Sequence, residues 1–158
     1  KWEDVNSETK EWTLPAETTK MREVHVVPLS KQAIALMEEL KALVGHNPHN
    51  LLFPSQNRQK NPMMCETTEN NVLKRMGYAG KMVGHGFRAL ASTILNEQGF
   101  RADVIERQLA HKERNKVRAA YNRAEYLEER AVMMQHWADF IDVQAGGNVI
   151  TGRFGRAA

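Results

Sequence analysis

The spacing of apolar and polar residues changes along the chain, and each kind of spacing predicts a different element. At the start, short β-favouring runs at residues 2–5, 11–14 and 24–29 are separated by polar turns. Pro15 and Pro28 fall at the ends of two of these runs, where a residue without an N–H group is tolerated. This pattern predicts a small antiparallel sheet.

Helical spacing begins after Ser30, a good N-cap, and the helix it starts is predicted to end at Gly45. The second half of the chain is almost wholly helical in pattern, and one of its helices stops at Gly99. The helix that stops at Gly99 is predicted at residues 85–98, and the others after Gly45 are predicted at 66–76, 103–109, 115–121 and 126–143. The sequence thus predicts an α+β fold that is mainly α-helical, with a small N-terminal sheet followed by a helical bundle.

The last predicted helix is apolar on two sides, which requires two partners. One stripe contains Leu127, Ala131, Met134, Ala138 and Ile141, and the other contains Met133, Trp137 and Phe140. Beyond this helix, residues 145–158 are small and Gly-rich. This tail is predicted either to be flexible or to add one short strand.

Composition narrows the class of protein. The length of 158 residues fits one globular unit, and we expect it to be part of a longer protein because it begins inside a strand-like run. The net charge of +3 is small, but basic residues concentrate at 101–123, which is a better indication of nucleic-acid binding. Cys65 is the only cysteine, which excludes an internal disulfide. Without an apolar signal segment or membrane-length run, a reducing cytoplasm is expected.

Two residues that open the helix ending at Gly99 form a candidate anion site. His85 and Arg88 are three residues apart and share one side of the first helical turn. A helix N-terminus carries a partial positive charge, so this pair suits a phosphate. Alone, the pattern is weak, because His85 also fits a polar cap and Arg88 a solvated side chain.

Three more side chains are ordinary when read singly. His111 fits a histidine at a helix C-terminus, Tyr121 fits packing on a short helix, and Lys20 fits a solvated hairpin lysine. Their order is more specific. A hairpin lysine eight residues before Pro28 is followed by HxxR opening a helix, then LAH, then a tyrosine in a basic run.

This order resembles the catalytic domain of the tyrosine recombinases, the phage-integrase family, and is most similar to prophage and genomic-island integrases. The likeness extends over residues 1–143. It is carried by KMREVHVVPLS, HGFRALASTILNEQGF, IERQLAH and VRAAYNRAEYLEERAVMMQHWADF.

The resemblance implies cleavage and rejoining of DNA through a 3′-phosphotyrosyl intermediate, with no metal ion or other cofactor. The implied catalytic residues are Tyr121 as nucleophile, Arg88 as phosphate clamp, His85 as general base or proton shuttle, His111 as phosphate donor and Lys20 as general acid. Tyr126 competes with Tyr121 for the first role. Arg22 competes with Lys20, although an arginine holds its proton too tightly to be a good acid.

The resemblance also implies double-stranded DNA attachment sites as partners, and self-association on DNA as a synaptic tetramer. DNA contacts are expected from Arg107, Lys112, Arg114, Lys116, Arg118 and Arg123. The stripe of Met133, Trp137 and Phe140 would then pack on a neighbouring protomer. Burial of both stripes inside one molecule fits the pattern equally well.

Two departures from the family pattern matter. The interval from His111 to Tyr121 is ten residues, longer than in many relatives. A first catalytic arginine belongs upstream of Trp2, so residues 1–144 are expected to be a catalytic domain that is truncated on its N-terminal side and inactive alone. Two other classes stay open: a DNA-binding module without catalysis, and a metal-dependent nuclease. For the nuclease, HNPHN lacks neighbouring acids in a ligand geometry and the other histidines are scattered.

Overall fold

The computed structural model describes residues 1–20, 22–55, 61–111 and 125–146. One antiparallel sheet has the order β1-β2-β3 and consists of β1 Val5–Asn6, β2 Glu11–Leu14 and β3 His25–Pro28. The α-helices of the described residues are α1 Lys31–Val44, α2 Thr68–Leu73, α3 Gly84–Glu97, α4 Ala102–Gln108 and α5 Leu127–Gln144. The predicted class, mainly α-helical α+β with a small N-terminal sheet, is confirmed.

The sheet follows the sequence pattern in its last two strands and departs from it in the first. β2 covers the predicted residues, and β3 is one residue shorter than predicted at each end. The strand predicted at 2–5 is wrong for most of its length, because Trp2–Asp4 forms a 3-10 turn and only Val5–Asn6 pairs with β2. The backbone N–H of Trp2 donates to the carbonyl oxygen of Asn50 at 2.9 Å, so its partner is a loop.

Two helix boundaries confirm the signals that predicted them. α1 begins after Ser30, whose side-chain oxygen accepts the N–H of Ala33 at 3.1 Å. α3 is followed by Gly99 with φ of 84°, a left-handed conformation that glycine adopts without strain. These boundaries depend on local chemistry, which a sequence displays directly.

The helix predicted at 66–76 begins later and changes its winding. α2 starts at Thr68, and a π-helical turn over Lys74–Tyr78 follows it, in which Gly77 has φ of 87°. The helix predicted at 115–121 lies outside the described residues, as does the predicted tail from residue 147 onward.

The hydrophobic core lies where α3, α4 and α5 meet. Its fully enclosed apolar side chains are Leu95, Val104, Ile105 and Met133, with Phe100, Leu109, Tyr126, Met134 and Trp137 packed around them. Full burial of one such side chain stabilises the fold by about 1.5–3 kcal/mol relative to exposure. This cluster therefore supplies much of the stability and holds the ends of α3 and α4 near each other.

Both apolar stripes of α5 contribute to burial within one molecule. The prediction that Met133 packs on a neighbouring protomer is wrong, because its side chain is 0% exposed in the core. Trp137 packs against the same core and stacks on Phe140 with ring centroids 5.6 Å apart. On the other stripe, Ile141 is 47% exposed, so α5 is covered unevenly.

Polar side chains join α1 to α5. The backbone N–H of Lys31 donates to the side-chain oxygen of Gln135 at 3.0 Å. Gln32 donates to Asp139 at 2.8 Å and to Asp142 at 2.9 Å. The hydrogen bonds from Gln32 and then Gln135 lower the pKa of Asp139. With these bonds and the core, α5 contacts β3, α1, α3 and α4.

Candidate active site

The first turn of α3 exposes His85 and Arg88 beside a helix N-terminus. Gly84 opens the helix, and its N–H donates to the side-chain oxygen of Asn70 at 2.8 Å. A Cβ at Gly84 would meet the carboxylate of Glu69, the far end of a flexible side chain that would have to move aside. The helix dipole makes this turn favourable for an anion.

Arg88 connects α3 to the end of α4. Its Nη2 donates to the carbonyl oxygen of Leu109. A guanidinium has several N–H donors in a planar fork, so this bond leaves donors for a second acceptor such as a phosphate oxygen. The tether therefore fixes the direction of the side chain while keeping its charge on an exposed surface.

α4 ends in a tight turn that carries His111. Ala110 has φ of 51°, a left-handed conformation that costs a non-glycine residue about 1–2 kcal/mol. The N–H groups of Ala110 and His111 donate to the carbonyl oxygens of Arg107 at 3.1 Å and Glu106 at 3.0 Å. The ring Nδ1 of His111 lies 2.7 Å from Oε2 of Glu106. This contact orients the ring and leaves its Nε2 free to face a ligand such as a phosphate.

Lys20 lies in the exposed loop between β2 and β3, as predicted. The hydroxyl of Thr19 closes this loop, because it donates to the carbonyl oxygen of Glu23 at 2.8 Å and accepts the N–H of Glu23 at 3.1 Å. Arg22 follows in the left-handed region with φ of 53°. The side chain of Lys20 makes no hydrogen bond or ion pair with another described residue.

The structure links two of the predicted catalytic residues through the end of α4. Arg88 binds the carbonyl oxygen of Leu109, which precedes His111 by two residues. His85 and Lys20 are exposed and are not bonded to that pair within the described residues. Outside the described residues lie Tyr121, Lys112, Arg114, Lys116, Arg118 and Arg123, whose roles stay predictions.

Arg107, a predicted DNA contact, forms an ion pair within the protein. Its Nε donates to Oε2 of Glu125 at 3.1 Å, and its Nη2 donates to Oε1 of the same carboxylate. The two side chains are 32% and 44% exposed, so the pair is partly accessible to solvent. A DNA phosphate would have to compete with Glu125 for this guanidinium.

Two buried groups beside the site were missed from the sequence. Arg130, in the first turn of α5, is fully buried, and donates from Nη2 to the carbonyl oxygen of Val26 at 2.6 Å. His25 on β3 is also buried, with its Nε2 at 3.3 Å from the carbonyl oxygen of Gln108. Burial, and then the charge of Arg130, lower the pKa of His25. Burial and Arg107 lower the pKa of Arg130 to about 10.

These pKa directions set the charges near neutral pH. His25 is neutral, and it donates to Gln108 when its proton is on Nε2, while Arg130 keeps its charge. A signal for Arg130 was present, because Arg130, Met133 and Trp137 recur at i, i+3 and i+7 on one helix face. An arginine at such a position indicates a buried, hydrogen-bonded cation.

An open groove of about 410 Å³ lies beside Arg88, between the sheet, α3 and α5. Its lining is largely apolar and includes Trp12, Val27, Phe87 and Trp137. An apolar lining does not suit a phosphate, because an unpaired anion loses its hydration there. The anion-binding chemistry therefore belongs to the exposed Arg88 and the turn after α4.

The described residues contain neither a cluster of metal-ligating side chains nor a membrane-spanning helix. No group of three or more His, Cys, Asp or Glu side chains in this part of the chain could hold a metal ion. Nor does any described helix have the length and apolar character needed to cross a membrane.

Comparison with known proteins identifies the family. Residues 1–128 match the phage integrase family. The chain is 45% identical over 150 residues to Prophage integrase IntA of Escherichia coli, covering 95% of this chain and 36% of that protein. It is 43% identical over 141 residues to the Integrase of Shigella phage Sf6, covering 89% of this chain and 36% of that protein. No solved structure gives a significant match.

The chain thus spans little more than a third of the length of these relatives. The family match includes the hairpin lysine, HxxR, LAH and the tyrosine of the basic run. With a match over most of its length and relatives at this level of identity, the chain belongs to the phage integrase family.

Proposed function

We propose that the chain is the catalytic part of a longer site-specific DNA recombinase, which integrates or excises a mobile element in the bacterial cytoplasm. One observation carries the proposal: in a member of this family, Arg88 of HxxR is tethered to the α4 end that bears His111. A guanidinium and an imidazole linked through one exposed helix end suit the scissile phosphate of DNA. The catalytic domain in this proposal comprises residues 1–144.

The proposed reaction conserves the energy of the phosphodiester. The phenolic oxygen of Tyr121 attacks phosphorus and forms the 3′-phosphotyrosyl bond, while the bond from phosphorus to the 5′ oxygen breaks. His85 takes the phenolic proton, and Lys20 gives a proton to the departing oxygen, which leaves as a hydroxyl. Rejoining reverses these steps, so neither ATP nor a metal ion enters the balance.

Charge stabilisation falls to Arg88 and His111. Negative charge grows on the non-bridging oxygens as the phosphate becomes five-coordinate, and a positioned donor at such an oxygen is worth roughly 10²–10³ in rate. Arg88 is held by Leu109 and His111 by Glu106, so both groups are oriented before DNA arrives. Such orientation lowers the reorganisation needed in the transition state.

The surroundings of Tyr126 support Tyr121 as the nucleophile. Tyr126 packs against the hydrophobic core, and the guanidinium carbon of Arg101 lies 5.1 Å from its ring centroid. These contacts give the Tyr126 ring a packing role at the start of α5. Tyr121 belongs to the basic run, whose side chains would bind the phosphates on either side of the cleaved bond.

The proposed partners are double-stranded DNA attachment sites and further copies of the protein, which assemble on DNA as a synaptic tetramer. Phosphate contacts would come from Lys112, Arg114, Lys116, Arg118 and Arg123, and from Arg107 once DNA displaces Glu125. Each such contact releases counterions, so binding should weaken as salt concentration rises.

The experiment that tests the proposal uses the parent protein, because the family resemblance expects a first catalytic arginine upstream of Trp2. A DNA substrate nicked next to the cleavage site loses its short 5′ product, so the covalent intermediate accumulates. We expect an adduct on wild type and on Tyr126→Phe, and none on Tyr121→Phe. An adduct on Tyr121→Phe would show that Tyr121 is not the nucleophile. Salt-dependent DNA binding with no adduct on any variant would indicate a DNA-binding module without catalysis.

A further inference from the structure

Arg130 is the largest fully buried side chain among the described residues, and its role is not explained by the proposed chemistry. A charge removed from water is unfavourable unless hydrogen bonds satisfy it. An apolar side chain of similar volume would fill the same core position without that penalty. Packing alone therefore gives no reason for an arginine here.

The guanidinium joins three parts of the fold. Its Nη2 donates to the carbonyl oxygen of Val26 on β3 at 2.6 Å, and its Nε donates to the side chain of Gln108 on α4 at 2.9 Å. Its Nη1 donates to the carbonyl oxygen of Glu125, just before α5, at 3.2 Å. Because the guanidinium is planar and rigid, its bonds to these acceptors fix how β3, α4 and the start of α5 lie relative to one another.

Gln108 is the last residue of α4, and it is held on two sides. Arg130 binds its side chain, while the ring of His25 contacts its carbonyl oxygen. The next residue, Leu109, supplies the carbonyl oxygen that binds Arg88. A displacement of Gln108 would therefore move the acceptor that directs the phosphate clamp.

We propose that Arg130 is a positioning residue, which fixes the end of α4 and thereby aims Arg88 and His111 at the same phosphate. Its burial keeps it away from DNA, so it acts through these two residues. The inference rests on the proposed function, because its consequence is a change in the rate of strand cleavage.

The test uses the parent protein and two variants. Arg130→Lys keeps the charge and removes the fork, and Gln108→Met removes the acceptor on α4. The rate of covalent adduct formation is measured in a single turnover at saturating nicked DNA, beside DNA affinity and thermal unfolding. We expect the rate to fall roughly 10–100-fold in both variants, because a misplacement of about 1 Å can cost 10²-fold, with DNA affinity within about threefold of wild type.

A second background separates positioning from general support of the fold. The same two substitutions are made in His111→Ala, where one of the two aimed groups is already missing. We expect a much smaller further loss there, since residues that act as one unit are not additive. Arg75→Lys is the matched control, because Arg75 is an exposed arginine outside the basic run at 101–123, and its rate should not change.

The outcomes separate the two proposals. Folded Arg130→Lys and Gln108→Met proteins that form adduct within about threefold of the wild-type rate would overturn the inference alone. Equal fold-losses in the wild-type and His111→Ala backgrounds would also overturn it. If Arg130→Lys fails to fold, Gln108→Met decides by the same criteria. A wild-type parent that forms no adduct overturns the proposed function, and the inference with it.

Discussion

Replacement of Arg88 is the sharpest test of the phosphate site, because charge and geometry can be removed separately. Arg88→Lys keeps a positive charge but presents a flexible point charge in place of a planar fork. Arg88→Gln removes the charge as well. In the structure, one guanidinium nitrogen is already bound by Leu109, so the remaining donors of the same rigid group are those that would meet DNA. A lysine has no comparable way to hold both acceptors in fixed directions.

The expected magnitudes follow from the donors lost. A positioned donor at a developing oxyanion is worth roughly 10²–10³ in rate, so Arg88→Lys should slow adduct formation about 10²-fold. Arg88→Gln should slow it by roughly another order of magnitude or more, since the charge also stabilises the transition state. DNA affinity should change little, because one phosphate contact among many is removed.

The assay is single-turnover adduct formation by the parent protein on nicked DNA, at concentrations that saturate each variant. Arg75→Lys again serves as the matched arginine control, since Arg75 is exposed and lies outside the basic run. Adduct formation by Arg88→Lys within about threefold of wild type would refute the reasoning. Loss of DNA binding in proportion to the loss of rate would do the same, because it would make Arg88 a general DNA contact.

Three other predictions test separate parts of the structure. Lys20→Ala should slow cleavage of ordinary DNA roughly 10²–10³-fold, because the departing 5′ oxygen loses its general acid. A substrate with sulfur in place of that oxygen should be cleaved at nearly the wild-type rate, because a thiolate, whose thiol has a pKa of about 8.5, leaves without an acid. Equal losses on both substrates would exclude Lys20 as the general acid. Burial and the charge of Arg130 lower the pKa of His25, so the unfolded chain binds a proton at this histidine more tightly than the folded chain does. Folding with a neutral His25 is therefore unpenalised above about pH 6.5, and stability is lost as the pH falls toward the folded-state pKa. The unfolding temperature of His25→Gln should therefore fall less than that of wild type between about pH 7.5 and about pH 5.5. An equal fall in both proteins would contradict the lowered pKa of His25. Met133→Ala should lower the free energy of unfolding by about 2–5 kcal/mol, whereas Val132→Ala, at a side chain 66% exposed, should change it by less than about 0.5 kcal/mol, as measured by denaturant unfolding.

Features that depend on neighbouring residues were predictable from the sequence. The cap at Ser30 and the stop at Gly99 follow from local backbone chemistry, and both are confirmed. The order of hairpin lysine, HxxR, LAH and tyrosine was sufficient to recognise the family, and Arg88 bonds the end of α4 two residues before His111. Short motifs carried this information because each lies on its own element.

Features that depend on distant partners were missed. The run at 2–5 has the composition of a strand, but Trp2 bonds to Asn50 and has no strand beside it. Arg130 was not singled out, since nothing near it in sequence shows that Val26 and Gln108 supply its acceptors. Periodicity places Arg130 on the buried face of its helix, but the partners of Trp2 and Arg130 come from tertiary contacts, which periodicity does not contain.

The contacts of α5 also set an order for folding on the ribosome. The bonds from Arg130 to Val26 and from Lys31 to Gln135 each join residues 104 apart, and Met133 completes the buried core. Contacts this distant in sequence form only after the intervening chain has been made. A nascent chain that already contains Tyr121 but not α5 lacks both the closed core and the bond from Arg130 that holds the end of α4. A prematurely terminated product is thus expected to carry the nucleophile without an assembled site, so DNA breakage would await synthesis of the final helix.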